Sequence, residues 1–361
     1  MHLLFVTRKF PPSTGGMEVF SKELYDALSR MDSQTRIYVP SPPIIGRPTM
    51  IQLLRFFLGA AVHIIRSRRK IDVLLLGDVL LLPLALISKL FCRHEMKLVG
   101  TAHGNDIFFS QGKGLRSRLY RLAIRRLARL PDLLIANSHY TARAASNLGF
   151  RNIAVIPLAT KKIDLAQSSV PRPVILFAGR LIRYKGLSWF IKEVLPLVSP
   201  GLSIEVAGPP WDESEMNAVE QCERVTYLGV VDPGSLAELR ASVTACVMPN
   251  LPPDEKIQGE GFGLSALEAP AVGVPTVVSR CGGLAEAVVE GVTGFLVEPL
   301  DAAAFAARIN EIYLWPQAKR QKFSANAKKT VAEVFTWERV GRDYMDLLAS
   351  KSSRDFAQEN A

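Results

Sequence analysis

Cysteine is scarce: 361 residues hold four, Cys92, Cys222, Cys246 and Cys281, and no two form a C-x-x-C pair. So few thiols exclude a disulfide framework and argue against a structural zinc site, and they are expected to be reduced, as in a cytosol. Long apolar runs are missing too. The greasiest stretch, Val73 to Ser88, is interrupted by Asp78 and Pro83 and falls short of the roughly 20 residues a spanning helix needs, so it reads as a buried strand followed by a core helix. The apolar run inside Met1–Thr7 ends at Arg8 and Lys9, too brief for a signal-peptide core of roughly 7–15 residues, and no export is expected. There is no G-x-G-x-x-G fingerprint of dinucleotide binding, and no acidic residue where the ribose of NAD would need one. The 25 Gly and 23 Pro are scattered rather than clustered, which excludes a collagen-like or low-complexity chain.

What is present is a globular composition, 48% apolar and 22% charged, in a chain long enough for two domains of ordinary size. The net charge of +10 is unevenly spread: residues 1–165 carry +15 and residues 166–361 carry −5, so a basic partner surface belongs to the first half. Short β-branched or leucine-rich runs alternate with helix-period stretches throughout, the pattern of parallel α/β architecture. Six runs lie in the first half: Leu3–Val6, Arg36–Val39, Asp72–Leu76, Lys97–Thr101, Leu133–Ala136 and Ala154–Ile156. Six more follow: Val174–Ala178, Ser203–Ala207, Val225–Leu228, Ala245–Met248, Thr276–Ser279 and Gly294–Val297. Between them, Ala159 to Pro173 is poor in apolar residues and reads as an exposed linker. The expected organisation is a first domain over 1–165, a second over 166–334, a helix over 335–350 and a frayed tail over 351–361. Open α/β sheets bind ligands beyond the C-terminal ends of their strands, so chemistry is sought in the turns that follow strands.

Gly15-Gly16 follows the first strand and precedes a helix pattern from Val19 to Arg30. Two glycines there serve a tight turn, or they let a phosphate or sugar approach free backbone N–H groups. His103-Gly104-Asn105-Asp106 follows the fourth strand; such a histidine is either structural or turned to a ligand. In the second half, Gly179-Arg180 and Lys185-Gly186 follow the seventh strand, where Arg offers a planar fork and Lys a point charge to a diphosphate. The most specific stretch is Gln258-Gly259-Glu260-Gly261-Phe262-Gly263-Leu264-Ser265-Ala266-Leu267-Glu268-Ala269. Glu268 is expected about two turns inside an apolar helix, about 12 Å from Glu260 at 1.5 Å per residue. A carboxylate on an apolar helix side needs hydrogen-bond donors, and a diol supplies two.

These motifs together resemble the retaining glycosyltransferases of family 4, with the GT-B fold: Gly15-Gly16, His103-Gly104-x-Asp106, Gly179-Arg180-x5-Gly186 with Lys185, and Glu260-x7-Glu268. The resemblance runs from about residue 3 to Trp337 and implies two Rossmann-like doubly wound α/β domains facing across a deep cleft. It further implies a nucleotide-sugar donor, UDP- or GDP-linked, held mainly by the second domain, and a glycan or glycolipid acceptor on the first. Arg180 and Lys185 would bind the diphosphate, Glu268 the ribose, Glu260 the transferred hexose, and His103 would face that sugar. Backbone at Gly15, Gly16, Gly261, Phe262, Gly263 and Leu264 would close on sugar and phosphates. With no D-x-D triad and two cations in place, no metal or other cofactor is expected.

Arg118, Arg121, Arg125 and Arg129 recur at helical spacing, with Leu119, Tyr120, Ala123, Ile124, Leu127 and Leu130 assigned to the opposite face. Either those apolar residues pack on the sheet while the arginines are merely solvated, or the arginines join Arg55, Arg66, Arg68, Arg69 and Lys70 near an apolar helix, Ile51–Ile65, as a surface for anionic lipid. The second possibility places the enzyme in the cytoplasm, at the inner face of the membrane. A nucleic-acid partner is not expected, since the basic segments contain no recognisable nucleic-acid module. The competing classes are a non-catalytic nucleotide-sugar or nucleic-acid binder and a GT-B nucleotide-sugar epimerase.

Overall fold

A computed structural model describes residues 1–13, 15–44, 48–91, 96–163, 165, 171–253 and 259–350. Cys92, Gln258, part of the expected linker and the tail 351–361 lie outside the described residues. The chain divides into two compact units, Met1–Leu158 with Trp337–Ala361, and Ala159–Thr336.

The first unit is built on β1 (Leu3–Val6), β2 (Arg36–Tyr38), β3 (Val73–Leu76), β4 (Lys97–Ala102), β5 (Leu133–Ala136) and β6 (Ile153–Val155). All pair in parallel in the order β2-β1-β3-β4-β5-β6, with Phe5 opposite both Ile37 and Leu75. Its helices are α1 (Gly16–Met31), α2 (Met50–Ser67), α3 (Leu82–Phe91), α4 (Asn105–Phe108), α5 (Leu115–Leu127) and α6 (His139–Ser146). β1, β3 and β5 are buried along their whole length, as parallel strands covered on both faces must be. By length and composition α2 is apolar enough to cross a membrane. In the fold it is the crossover from β2 to β3, and Phe56, Ala60 and Ile64 bury its inner side in the core with Leu74 and Leu98.

The second unit carries β7 (Arg172–Ala178), β8 (Ser203–Ala207), β9 (Val225–Gly229), β10 (Val243–Met248), β11 (Thr276–Ser279) and β12 (Gly294–Val297), parallel in the order β12-β11-β10-β7-β8-β9. Its helices are α7 (Leu187–Trp189, continued by irregular helical turns to Leu197), α8 (Glu213–Glu220), α9 (Pro233–Ser242), α10 (Ser265–Ala271), α11 (Ala302–Tyr313) and α12 (Gln317–Val334). The last helix, α13 (Trp337–Ala349), belongs to the first unit, where it packs along α1. Trp337 and Tyr344 meet the ring of Phe20 there.

The expected domain boundary at 165 needs correction: the division falls at Leu158/Ala159. Ile163 and Leu165, two of the few apolar residues in the expected linker, pack against the second unit's core beside Val174 and Val243, and Lys328 Nζ donates to the Leu165 carbonyl at 2.8 Å.

Strand order reverses between β1 and β3 in one sheet, and between β7 and β10 in the other. At such a switch point neighbouring crossovers leave in opposite directions and open a crevice at the strand ends, which directs attention to the turns after these four strands.

Candidate active site

At the switch point of the second unit, the turn after β7 meets the turn after β10. The Leu251 N–H donates to the Tyr184 carbonyl at 2.9 Å, tying the two loops. Gly186 is left-handed at φ +72, and a Cβ there would lie 2.0 Å from the Pro249 carbonyl oxygen. Gly186→Ala therefore combines left-handed strain, about 1–2 kcal/mol, with a backbone clash. It is expected to lower Tm by roughly 5–10 °C in a thermal melt; an unchanged Tm would show that the loops part without cost.

These loops bring three of the sequence-predicted residues together. Lys185 Nζ forms an ion pair with Glu260 Oε2. Burial works against the Lys185 ammonium, but the Glu260 carboxylate and the Tyr184 phenol outweigh it and hold the pKa above the ordinary lysine value. The Lys185 ammonium sits 5.5 Å from the centre of the Tyr184 ring, and Arg180 donates to the Tyr184 hydroxyl at 3.3 Å while stacking over Trp211 at 5.1 Å. Among the described residues Arg180 has no carboxylate partner, so Arg180 is the surplus cation of the group.

Asn250, 2% exposed and absent from the sequence-predicted set, donates from Nδ2 to Glu260 Oε2 at 3.4 Å, and its Oδ1 lacks a partner among the described residues. Its place immediately after a strand end was the signal that could have found it. The Cys281 thiol points at the Asn250 and Leu251 carbonyls, and burial, reinforced by the Glu260 charge, pushes its pKa up to about 12, which disfavours the thiolate that a nucleophilic role needs.

In the Glu260–Glu268 segment the helix starts later than expected, so Glu268 is not two turns inside it. Gly263 is left-handed at φ +88, and a Cβ there would meet Leu284 at 2.3 Å, so the helix cannot begin before this residue. α10 starts at Ser265, and Glu268 lies in its first turn, where the helix dipole favours a carboxylate. The separation of about 12 Å computed for helical rise consequently does not apply. Gly261, Phe262 and Gly263 are buried and Leu264 is half-buried; Phe262, 2% exposed, anchors the loop.

Glu268 already has a donor in the protein. Arg240 of α9, only 5% exposed, pairs with Glu268 Oε2. Nothing in the spacing flagged Arg240, 28 residues away. The Glu268 side chain remains a third exposed, so the pair fixes the carboxylate and leaves part of it open to a ligand.

In the first unit, Gly15 caps α1 and Gly16 opens it, both exposed. The buried Glu18 carboxylate lies against Gly15, where a Cβ would be 2.6 Å from Oε2, and pairs with Lys9 at 3.0 Å. His103, at the end of β4, stacks edge-on to Phe20 at 4.4 Å between ring centres, and its Nε2 lies 2.9 Å from the Gly77 carbonyl. A carbonyl only accepts, which assigns the proton to Nε2. The Asp106 carboxylate takes the His103 and Val79 N–H groups at 2.9 and 3.2 Å, locking the turn. A second pair missed in the sequence sits at the switch point itself: Arg8 Nε lies 2.7 Å from Asp78 Oδ2, and Asp78 is fully buried. Burial pushes the Asp78 carboxyl up and Arg8 offsets this only in part.

The division of α5 into an arginine face and a sheet-packed apolar face holds only in part. Arg118 and Arg125 are exposed and Arg121 is half-buried, while Arg129 is exposed beyond the helix end at Leu127; Leu119 and Ala123, expected on the sheet side, are exposed as well. The other four of the expected residues do face the core: Ile124 is buried in it, with Ser117 and Ala128 buried beside it, and Tyr120, Leu127 and Leu130 are half-buried against it.

Two family profiles match the chain: residues 14–160 fit Glycosyltransferase Family 4, and residues 172–314 fit Glycosyl transferases group 1. A GDP-mannose-dependent alpha-(1-6)-phosphatidylinositol monomannoside mannosyltransferase of Mycolicibacterium smegmatis is 23% identical over 385 residues, covering 97% of this chain and 98% of that one. A glycogen synthase of Mycobacterium tuberculosis is 30% identical over 264 residues, 68% of this chain and 61% of that enzyme. The fold superposes on Anabaena Alr3699/HepE in complex with UDP-glucose with a TM-score of 0.73 at 20% identity, covering 96% and 99% of the two chains. The parallel six-stranded sheets and these matches define a glycosyltransferase of the GT-B fold. The chain belongs to glycosyltransferase family 4.

Proposed function

We propose that this glycosyltransferase moves a hexose from a UDP- or GDP-linked donor to a hydroxyl of a glycan or glycolipid, with retention of anomeric configuration and without a metal. The observation that carries this is the cation group after β7: Arg180 beside Tyr184, and Lys185 held charged by Glu260. A nucleoside diphosphate leaving from the anomeric carbon gains negative charge as the C–O bond breaks, and fixed cations stabilise that charge without reorganising. The donor names are supported by two proteins similar to this one, the relative named for GDP-mannose and the solved structure bound to UDP-glucose.

In the reaction, the second unit holds the donor: Glu268, set by Arg240, accepts from the ribose hydroxyls, and Glu260 accepts from the hexose. Backbone at Gly261, Phe262, Gly263 and Leu264 lies against sugar and phosphates; in the first unit, Gly15 and Gly16 offer backbone N–H groups to a sugar or phosphate. The acceptor hydroxyl forms the new C–O bond on the face the diphosphate leaves, and its proton passes to the departing phosphate oxygen. His103, with its proton fixed on Nε2, presents Nδ1 as an acceptor for a sugar hydroxyl. The first unit binds the acceptor. A lipid-linked acceptor accords with the Mycolicibacterium relative, named for a phosphatidylinositol monomannoside, and with a cytoplasmic enzyme at an anionic membrane surface reached through Arg118, Arg121, Arg125 and Arg129.

The test is release of UDP or GDP from a panel of hexose donors, with and without EDTA. Release that persists in EDTA is expected, because Arg180 and Lys185 supply the positive charge. Complete loss restored by Mg²⁺ or Mn²⁺ would assign the diphosphate to a metal instead.

A further inference from the structure

The outward faces of α2, α3 and α5 are apolar. On α2, Ile51, Leu54, Leu58 and Val62 are 71, 60, 59 and 45% exposed. Their spacing of three and four residues makes one stripe, on the side away from the buried Phe56, Ala60 and Ile64. α3 packs against both α2 and α5, so the three helices lie side by side, and each adds to the surface: Leu90 of α3 is 69% exposed and Leu119 of α5 is 58%. About as many exposed large apolar side chains sit on these three helices as on all the rest of the described chain. Contiguous patches of this kind mark an interaction surface.

The charges on the same helices have one sign. None of the three contains Asp or Glu, while Arg55 and Arg66 of α2, Lys89 of α3 and the arginines of α5 are interspersed among the exposed apolar residues. An anionic headgroup layer above hydrocarbon matches both features at once: the basic groups meet phosphates while the apolar stripe enters the acyl region. A second copy of the chain fits poorly, because a two-fold contact would bring two acid-free basic faces together.

We infer that α2 is a bilayer-inserting helix. Its Ile51-Leu54-Leu58-Val62 stripe lies in the acyl boundary of an anionic membrane, and the arginines of α2 and α5 sit at headgroup level. This rests on the membrane-bound function proposed above only in giving the contact a purpose; binding itself needs neither donor nor turnover. It also changes the nature of the contact, from attraction by an arginine face to burial of an apolar one.

The test uses the full chain with vesicles of phosphatidylglycerol and phosphatidylcholine. In Leu58→Trp, tryptophan emission is expected to shift to the blue on adding anionic vesicles and to be quenched by lipids brominated on their chains. Leu314→Trp, at a position 76% exposed in the second unit, is expected to show neither. Leu54→Ser with Leu58→Ser is expected to weaken vesicle partitioning by at least about tenfold while donor hydrolysis stays at the parent rate. Vesicle binding with Leu58→Trp still emitting as in water, or no vesicle binding at all, would overturn the inference. A concentration-dependent blue shift without lipid would overturn it in favour of a second copy. Vesicle insertion in a protein that releases no nucleotide would leave it standing and refute the transferase function instead.

Discussion

Replacing both Arg180 and Lys185 by alanine is expected to lower kcat by about a thousandfold with a smaller rise in KM. One preorganised group that meets developing charge is worth about 10²–10³ in kcat, and here two do so. The single variants differ because the partners differ. Among the described residues Arg180 has no carboxylate to release, so Arg180→Ala removes charge stabilisation and the stack on Trp211. Lys185→Ala leaves Glu260, with Asn250 its one remaining side-chain partner among the described residues, as an unneutralised carboxylate beside an anionic ligand. It is therefore expected to weaken donor binding as well as turnover. Steady-state kinetics of donor hydrolysis measures both; full activity in the double variant would remove these residues from the chemistry.

Glu268→Ala is expected to raise the donor KM by about 10–100-fold, the equivalent of about 1.5–3 kcal/mol for hydrogen bonds to a charged group. The structure adds a second expectation. Arg240, nearly buried, holds Glu268 in place, so Arg240→Ala should raise the same KM and also lower Tm, since Glu268 then loses its fixed partner. The two substitutions act on one carboxylate, and their effects in the double variant should fall well short of additive. A KM unchanged in Arg240→Ala would show that Glu268 is positioned by the start of α10 alone.

The strands were the legible part of this sequence. β1, β5, β8, β11 and β12 fall where the runs of Val, Ile and Leu place them, because a strand covered on both faces admits little else. The pair Arg180 and Lys185 was legible from its place after β7. The same logic extends to Asn250, just after β10, but gave no signal for the pairs Arg240–Glu268 and Arg8–Asp78, whose partners lie far apart in sequence and meet only in the fold. Glu268 was misplaced within its helix because Gly263 sits where left-handed backbone stops the helix, and a glycine in the sequence does not disclose the sign of φ. On α5 the pattern placed Tyr120, Ile124, Leu127 and Leu130 on the core side correctly and misplaced Leu119 and Ala123, because in this unit the surface itself is apolar.

The most direct measurement is to incubate the protein with isotope-labelled UDP- and GDP-hexoses and a lipid extract, and to follow the anomeric carbon by NMR. The account predicts that one nucleotide class is released in step with appearance of the hexose on an acceptor hydroxyl, in the anomeric configuration it had in the donor. Nucleotide released without any acceptor product, an inverted anomer, or no release from any donor would contradict it.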